Sequence, residues 1–235
     1  MSIKPVKKLI TIDGPSGVGK GTASLFVAKA LNWDWLDSGA LYRLTALEAQ
    51  NKNLPLGDPI IMARLALNLD VKFVEKASGQ QDILLNGKMV GDLIRSETCG
   101  NVASKIAAYP EVRDALMARQ RAFYTDKGLV TDGRDMGTIV FPEAPVKIFL
   151  TANPRVRAER RWKQLQAQGL GVSITDLLHE IEVRDERDRT RAVAPLIPAV
   201  DALVIDTSCM NIQEVEVAIL ARAHEVFFCV SRTTE

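Results

Sequence analysis

Leu9-Ile10-Thr11-Ile12-Asp13-Gly14-Pro15-Ser16-Gly17-Val18-Gly19-Lys20-Gly21-Thr22 reads as a buried strand running straight into a phosphate-binding loop. Three glycines let the backbone turn sharply and aim several N–H groups at one point. Lys20 adds a full positive charge there, and the following helix adds the positive end of its dipole. Such a loop suits the polyphosphate of a nucleotide. The strict pattern places Ser or Thr directly after the lysine. Here Gly21 takes that place and the hydroxyl comes one residue later, at Thr22.

Outward from the loop, five short apolar runs alternate with helical patterns: about Lys8–Ile12, Trp33–Leu36, Gly128–Thr131, Val146–Thr151 and Ala202–Ile205. Runs without polar alternation suit parallel strands covered on both faces. Asp58-Pro59 and Asn153-Pro154 each read as an N-cap followed by a first-turn proline. Asn211 and Glu214 have the spacing of a capping box. The expected fold is therefore α/β, a five-stranded parallel sheet flanked by helices, with ligands beyond the carboxyl ends of the strands. Val71–Val74, Ile83–Leu85 and Lys88–Val90, with Asn86-Gly87 between the last two, predict a small antiparallel β insertion over residues 70–96.

Composition narrows the function classes. Thirty basic and twenty-nine acidic residues among 235 leave no surplus that would argue for nucleic acid, so any cationic site is local. Cys99, Cys209 and Cys229 are odd in number and widely spaced, which fits reduced thiols rather than a disulfide framework or zinc site. The apolar run behind Lys7 and Lys8 is too short for a signal peptide, and no stretch is long enough to span a membrane. A cytoplasmic, monomeric protein without nucleic-acid or membrane partners is expected.

Four constellations carry candidate chemistry. Leu36-Asp37-Ser38-Gly39-Ala40-Leu41-Tyr42-Arg43 places a hydroxyl at a helix start and an arginine one turn in, which is either a second anion site or a plain serine cap. Thr131-Asp132-Gly133-Arg134-Asp135-Met136-Gly137 puts two carboxylates around an arginine at a strand's carboxyl end. Asp132 there suits a magnesium-bound water and Arg134 a phosphate, unless the segment is an ordinary acidic turn. Along Ser173–Arg191, Ile174, Leu177, Leu178 and Ile181 define an apolar stripe whose forward projection lands on Arg184, Asp188 and Arg191. The face that packs in the first half thus becomes charged in the second. Finally, Arg155, Arg157, Arg160 and Arg161 crowd the helix after Pro154, which leads to Gly169 and Gly171; this is either a lid over a polyphosphate or an exposed basic helix.

His179 and His224 both fall inside helical patterns far from the glycine motifs, so a histidine base is not expected. Phosphoryl transfer to an acceptor that is itself a phosphate needs alignment and charge neutralisation rather than a base. Competing readings are a kinase for another small acceptor, including an alcohol, and a nucleotide switch. The switch patterns Asp-x-x-Gly and Asn-Lys-x-Asp are absent from the sequence.

Gly-Pro-Ser-Gly-Val-Gly-Lys-Gly-Thr, Leu-Asp-Ser-Gly-Ala-Leu-Tyr-Arg, Asp-Gly-Arg-Asp-Met-Gly-Thr and Arg-Asp-x-x-Asp-Arg-x-Arg together resemble the bacterial-type cytidylate kinases, over about residues 8–225. The likeness takes in Val112-Arg113 and Ala192-Val193-Ala194-Pro195-Leu196, and the Lys-Gly-Thr ending is usual in that group. The resemblance implies the P-loop nucleotide kinase fold, a single kinase domain over 1–235, with 70–96 in its monophosphate-binding part and a helical lid over 154–172. It implies conversion of CMP or dCMP to the diphosphate by ATP with Mg2+. By matching position, Gly14, Pro15, Ser16, Gly17, Val18, Gly19, Lys20, Gly21 and Thr22 hold the ATP phosphates, with Arg157 and Arg161 closing from the lid. Ser38, Arg43, Arg134 and Arg191 are implied to hold the acceptor phosphate. Ser104, Arg113 and Asp135 meet the cytosine edge, and Arg184 with Asp188 the sugar. Lys20, Arg134 and Arg191 are the implied catalytic residues, and Thr22 and Asp132 stand nearest magnesium.

Overall fold

A computed structural model describes residues 6–75 and 81–228, so Cys229 and residues 76–80 of the expected insertion lie outside the described residues. The chain runs β1 (Leu9–Asp13), α1 (Lys20–Leu31), β2 (Asp34–Asp37), α2 (Ser38–Asn51), α3 (Pro59–Leu67), β3 (Val71–Glu75), β4 (Gln81–Leu85), β5 (Lys88–Met89), α4 (Glu97–Ile106) and α5 (Pro110–Arg121). It continues through β6 (Leu129–Gly133), β7 (Val146–Thr151), α6 (Pro154–Ala167), α7 (Ile174–Thr190), β8 (Leu203–Asp206) and α8 (Ile212–Phe227). A π-helical turn covers Met136–Val140. The chain divides into two compact units, Met1–Asp37 with Gln120–Glu235 as one and Ser38–Arg119 as the other.

The first unit holds a parallel sheet of order β2-β6-β1-β7-β8. Its middle strand, β1, is buried throughout and pairs with β6 on one side and β7 on the other. The connection leaving β1 runs toward β2 and the one leaving its neighbour β7 runs the opposite way, toward β8, so a ligand crevice opens beyond the carboxyl ends of these two strands. Ile10, Ile12, Val130, Ile148 and Leu150 of the sheet pack with Ala23 and Val27 of α1 and with Val215 and Ile219 of α8. Full burial of each such aliphatic side chain contributes about 2 kcal/mol. Four of the five strands start later than the apolar runs predict, and the same four end on Asp13, Asp37, Gly133 or Asp206. The ladder needs only backbone groups, so it continues past the last apolar side chain to a polar residue at the strand's carboxyl end.

The second unit carries the antiparallel sheet β3-β4-β5, and the Asn86-Gly87 turn has positive φ at both residues (51° and 76°), with Leu85 opposite Lys88. That is the two-residue hairpin connection expected from the dipeptide. The expected helix caps form as well. Asp58 accepts from Ile60 N and Ile61 N, Asn153 from Arg155 N, Ser173 from Asp176 N, and Asn211 and Glu214 form a reciprocal capping box. Of the stripe on α7, Leu177 is buried against Ala158 and Leu165 of α6, with Leu178 and Ile181 packed on it, whereas Ile174 is exposed. Among the described residues no helix is long and apolar enough to cross a membrane.

Candidate active site

The loop from Gly14 to Gly19 leads into α1 with Gly19 as N-cap at φ 91°, and no side chain caps the helix. Gly14 cannot be replaced without movement, because a Cβ there would collide with the Leu150 carbonyl. Lys20, the first helical residue, is buried and donates from Nζ to the Pro15 carbonyl at 2.9 Å. Burial pushes its pKa down, and the nearby Arg134 guanidinium adds to the effect. Pro15 and Val18 are buried, Ser16, Gly19 and Gly21 are half-buried, and Gly17 and Thr22 face solvent.

Beside this loop stand two carboxylates on neighbouring strands, Asp37 of β2 and Asp132 of β6, which are direct register partners. Ser24 Oγ donates to Asp132 Oδ1 at 2.7 Å, and Trp35 Nε1 reaches the same pair at 2.8 and 3.2 Å. Burial pushes Asp132 well above the ordinary carboxylate range, and the Asp37 charge raises it further. A Cβ on Gly21 would stand 4.0 Å from Asp132 Oδ2, so α1 begins against this carboxylate. Asp132, whose charge the fold holds unfavourably, forms with its register partner Asp37 an oxygen donor pair that a hard divalent cation would compensate. The residues thus fit magnesium.

At the end of β6, Arg134 Nε donates to Asp188 Oδ2 of α7 at 2.9 Å. Arg191 stands 3.7 Å from Asp135 and donates from Nε to the Ala194 carbonyl at 2.5 Å. Ala194 has φ 51°, a left-handed conformation uncommon for a residue with a Cβ, and it presents that carbonyl to Arg191. Burial pushes Asp188 up, but Arg134, Arg184 and Arg191 outweigh it and hold the carboxyl below its usual range. Arg184 also acts electrostatically on Lys20. One end of the sheet therefore gathers Lys20, Arg134, Arg184 and Arg191, interleaved with Asp132, Asp135 and Asp188. The heptad projection along Ser173–Arg191 reached three of these seven residues, Arg184, Asp188 and Arg191.

Within the 38–119 unit, Ser38 is buried at the start of α2, and Arg43 donates from Nη1 to the carbonyls of Ile94 (2.6 Å) and Ser96 (3.3 Å). Ser104 is buried on α4. Arg113 on α5 is buried, donates to the Ala107 carbonyl at 3.2 Å and lies 5.8 Å from the Tyr42 ring centroid.

Three arginines of α6 are engaged with other groups of the protein. Arg157 is 2% exposed and paired with Asp185 of α7. Arg160 donates to Thr207 and to the Met210 carbonyl. Arg161 is half-buried and donates to Gln164 at 3.3 Å. Two groups escaped the sequence reading. Asp13 accepts Met136 N (2.8 Å) and Gly137 N (2.7 Å), fastening the π-helical turn to β1; a carboxylate ending an apolar strand was the available signal. Asp185 lies inside the Arg-Asp-x-x-Asp-Arg-x-Arg stretch, one heptad on from Leu178, and that step was its available signal. An open cavity of about 610 Å³ at the ends of β7 and β8 is lined by residues that include Ala152, Asn153, Arg155, Ser208 and Cys209.

The family model of cytidylate kinase matches residues 10–225. The chain belongs to the cytidylate kinase family. Proteins named cytidylate kinase from Yersinia pestis (strain Pestoides F) and Yersinia pseudotuberculosis serotype O:1b (strain IP 31758) are each 52% identical to it over 221 residues. Those alignments cover 94% of this chain and 96% of each relative. A solved gluconokinase structure from Sinorhizobium meliloti 1021 aligns with 97% of the chain and 100% of its own, at 15% identity and a TM-score of 0.48.

Proposed function

We propose that the chain transfers the γ-phosphoryl group of ATP to CMP or dCMP, giving ADP and CDP or dCDP. The observation that carries this reading is the cluster at the sheet end. Four cations, Lys20, Arg134, Arg184 and Arg191, converge beside the phosphate loop. A phosphate acceptor brings its own anionic nucleophile, so the site has only to align two polyanions and spread their charge.

Lys20 and the N–H groups of Gly14 and of residues 16–22 hold the ATP phosphates around Pro15, which has no N–H to donate, and the cavity at the ends of β7 and β8 suits the adenosine half. Arg134 and Arg191 clamp the acceptor phosphate and neutralise charge on the transferring group, with Ser38 and Arg43 as further acceptor-phosphate ligands. Ser104, Arg113 and Asp135 recognise cytosine. Its exocyclic amine is a donor that a carboxylate accepts, whereas uracil presents an acceptor there. Arg184 and Asp188 meet the sugar. Arg161 remains the phosphate ligand expected of a lid over residues 154–172. Thr22 and Asp132 would stand nearest magnesium, which would supply charge neutralisation on the ATP phosphates. The working compartment is the cytoplasm and the working form a monomer. An ADP-release assay across CMP, dCMP, UMP, AMP and dTMP tests the reading. Preference for CMP and dCMP is expected, and equal or greater turnover of another acceptor refutes it.

A further inference from the structure

We infer that Arg157 is a positioning residue of the phosphate loop: from α6 it holds the Ser16 carbonyl so that the Gly17 N–H faces the bound phosphates, and Asp185 of α7 holds Arg157 in place. The inference rests on the ATP reading above and assigns Arg157 a task other than direct phosphate contact.

Arg157 Nε donates to the Ala152 carbonyl at 3.0 Å, and Nη1 donates to the Ser16 carbonyl and to Asp185 Oδ1, each at 3.1 Å. Nη2 donates to Asp185 Oδ2. Four of the guanidinium's five N–H groups are thereby committed. A fork so occupied, on a side chain 2% exposed, has little left to offer a ligand. What it grips is telling. The described peptide bonds are all trans, and in a trans peptide the carbonyl and the following N–H point in opposite directions. Holding the Ser16 carbonyl toward α6 therefore turns the Gly17 N–H away from α6. The α6 side of the loop is filled, since a Cβ on Gly17 would stand 3.2 Å from the Arg157 Cβ. Gly17 is nonetheless exposed on its other side, where an anion can approach. The preceding carbonyl, of Pro15, is taken by Lys20 at 2.9 Å. Two consecutive carbonyls of the loop are thus each held by a cation. A reversed Ser16–Gly17 peptide would present a carbonyl oxygen to the phosphates instead of a donor.

The test measures ATP and pyrophosphate binding by titration calorimetry on the full chain, with steady-state KM values for ATP and CMP and melting curves alongside. Replacing Arg157→Met together with Asp185→Leu removes both buried charges, a change that well-packed apolar groups often tolerate. That pair is expected to melt near the native protein yet bind ATP and pyrophosphate about tenfold or more weakly, as loss of one donor to an anion predicts. The KM for CMP stays within about twofold in this comparison. Asp185→Asn alone frees the guanidinium from its anchor and also weakens ATP binding. Arg157→Lys keeps the charge beside Asp185 but not the fork, and fails to rescue.

Native-like ATP and pyrophosphate binding by the double variant overturns the proposal. So does tighter ATP binding by Asp185→Asn, which would mark Arg157 as a direct phosphate ligand released from its partner. The binding arms contain no acceptor. A native protein that binds ATP but does not phosphorylate CMP sinks the acceptor reading alone and leaves this comparison intact.

Discussion

Asp13 offers a sharp test of how burial and hydrogen bonding compete at the site. Its carboxylate receives two backbone N–H groups, from Met136 and Gly137, which favour the charged form. Burial disfavours that form more strongly, and the neighbouring Asp135 charge adds to it, so the pKa rises from 3.8 to about 6. Between those two values the folded protein keeps a proton that the unfolded chain has lost. Stability from this group is therefore fully present below about pH 4 and is lost as pH rises through about 6. The gap corresponds to about 3 kcal/mol in all, of which about 2 kcal/mol falls between pH 4.5 and 7. Asp13→Asn keeps the group uncharged at every pH and, because an amide nitrogen cannot accept, gives up one of the two N–H bonds throughout the range. Urea denaturation of both proteins across that range should show the Asn variant gaining about 2 kcal/mol on the native protein between pH 4.5 and pH 7. Profiles that run parallel within about 0.5 kcal/mol would refute the reasoning, because Asp13 would then titrate alike in both states.

Asp135→Ala should lower the preference for CMP over UMP by about tenfold or more while the KM for ATP changes little, as measured by competing the two acceptors; an unchanged ratio removes Asp135 from base recognition. Arg43→Ala should raise the KM for CMP well above any change for ATP. Loss of its bonds to the Ile94 and Ser96 carbonyls should also lower stability by about 1–3 kcal/mol. Gly14→Ala should destabilise by about 3 kcal/mol and abolish most turnover, since its Cβ meets the backbone of Leu150 rather than a movable side chain. Chelation by EDTA should stop transfer, with activity restored by added magnesium.

The sheet was legible because five apolar runs without polar alternation have few alternatives to buried parallel strands. Their carboxyl ends were not, because Asp13, Asp37 and Asp206 carry no apolar signal while their backbones still pair with β7, β6 and β7 respectively. Period alone brought Arg184, Asp188 and Arg191 onto one face of α7. The partners of Arg157 were not legible for a physical reason. An arginine in a basic helix looks solvated in one dimension, and only the fold brings it to Asp185 and to a carbonyl 141 residues earlier. Ser24 and Trp35 stayed silent because neither residue type announces a partner such as Asp132, 108 and 97 positions away.

Five helices, α3, α4, α6, α7 and α8, begin with a side chain that accepts an N–H of their own first turn. At α1, which starts on Lys20, Gly19 supplies none. A side-chain cap is worth about 1 kcal/mol, and this helix forgoes it in the free chain. The nucleotide's phosphate would then complete a helix terminus as well as occupy a site, and ordering of the first turn would be thermodynamically linked to ligand concentration. A side-chain oxygen introduced to steady that terminus would compete for the same N–H groups, so stabilising the free chain there would oppose its use as a kinase.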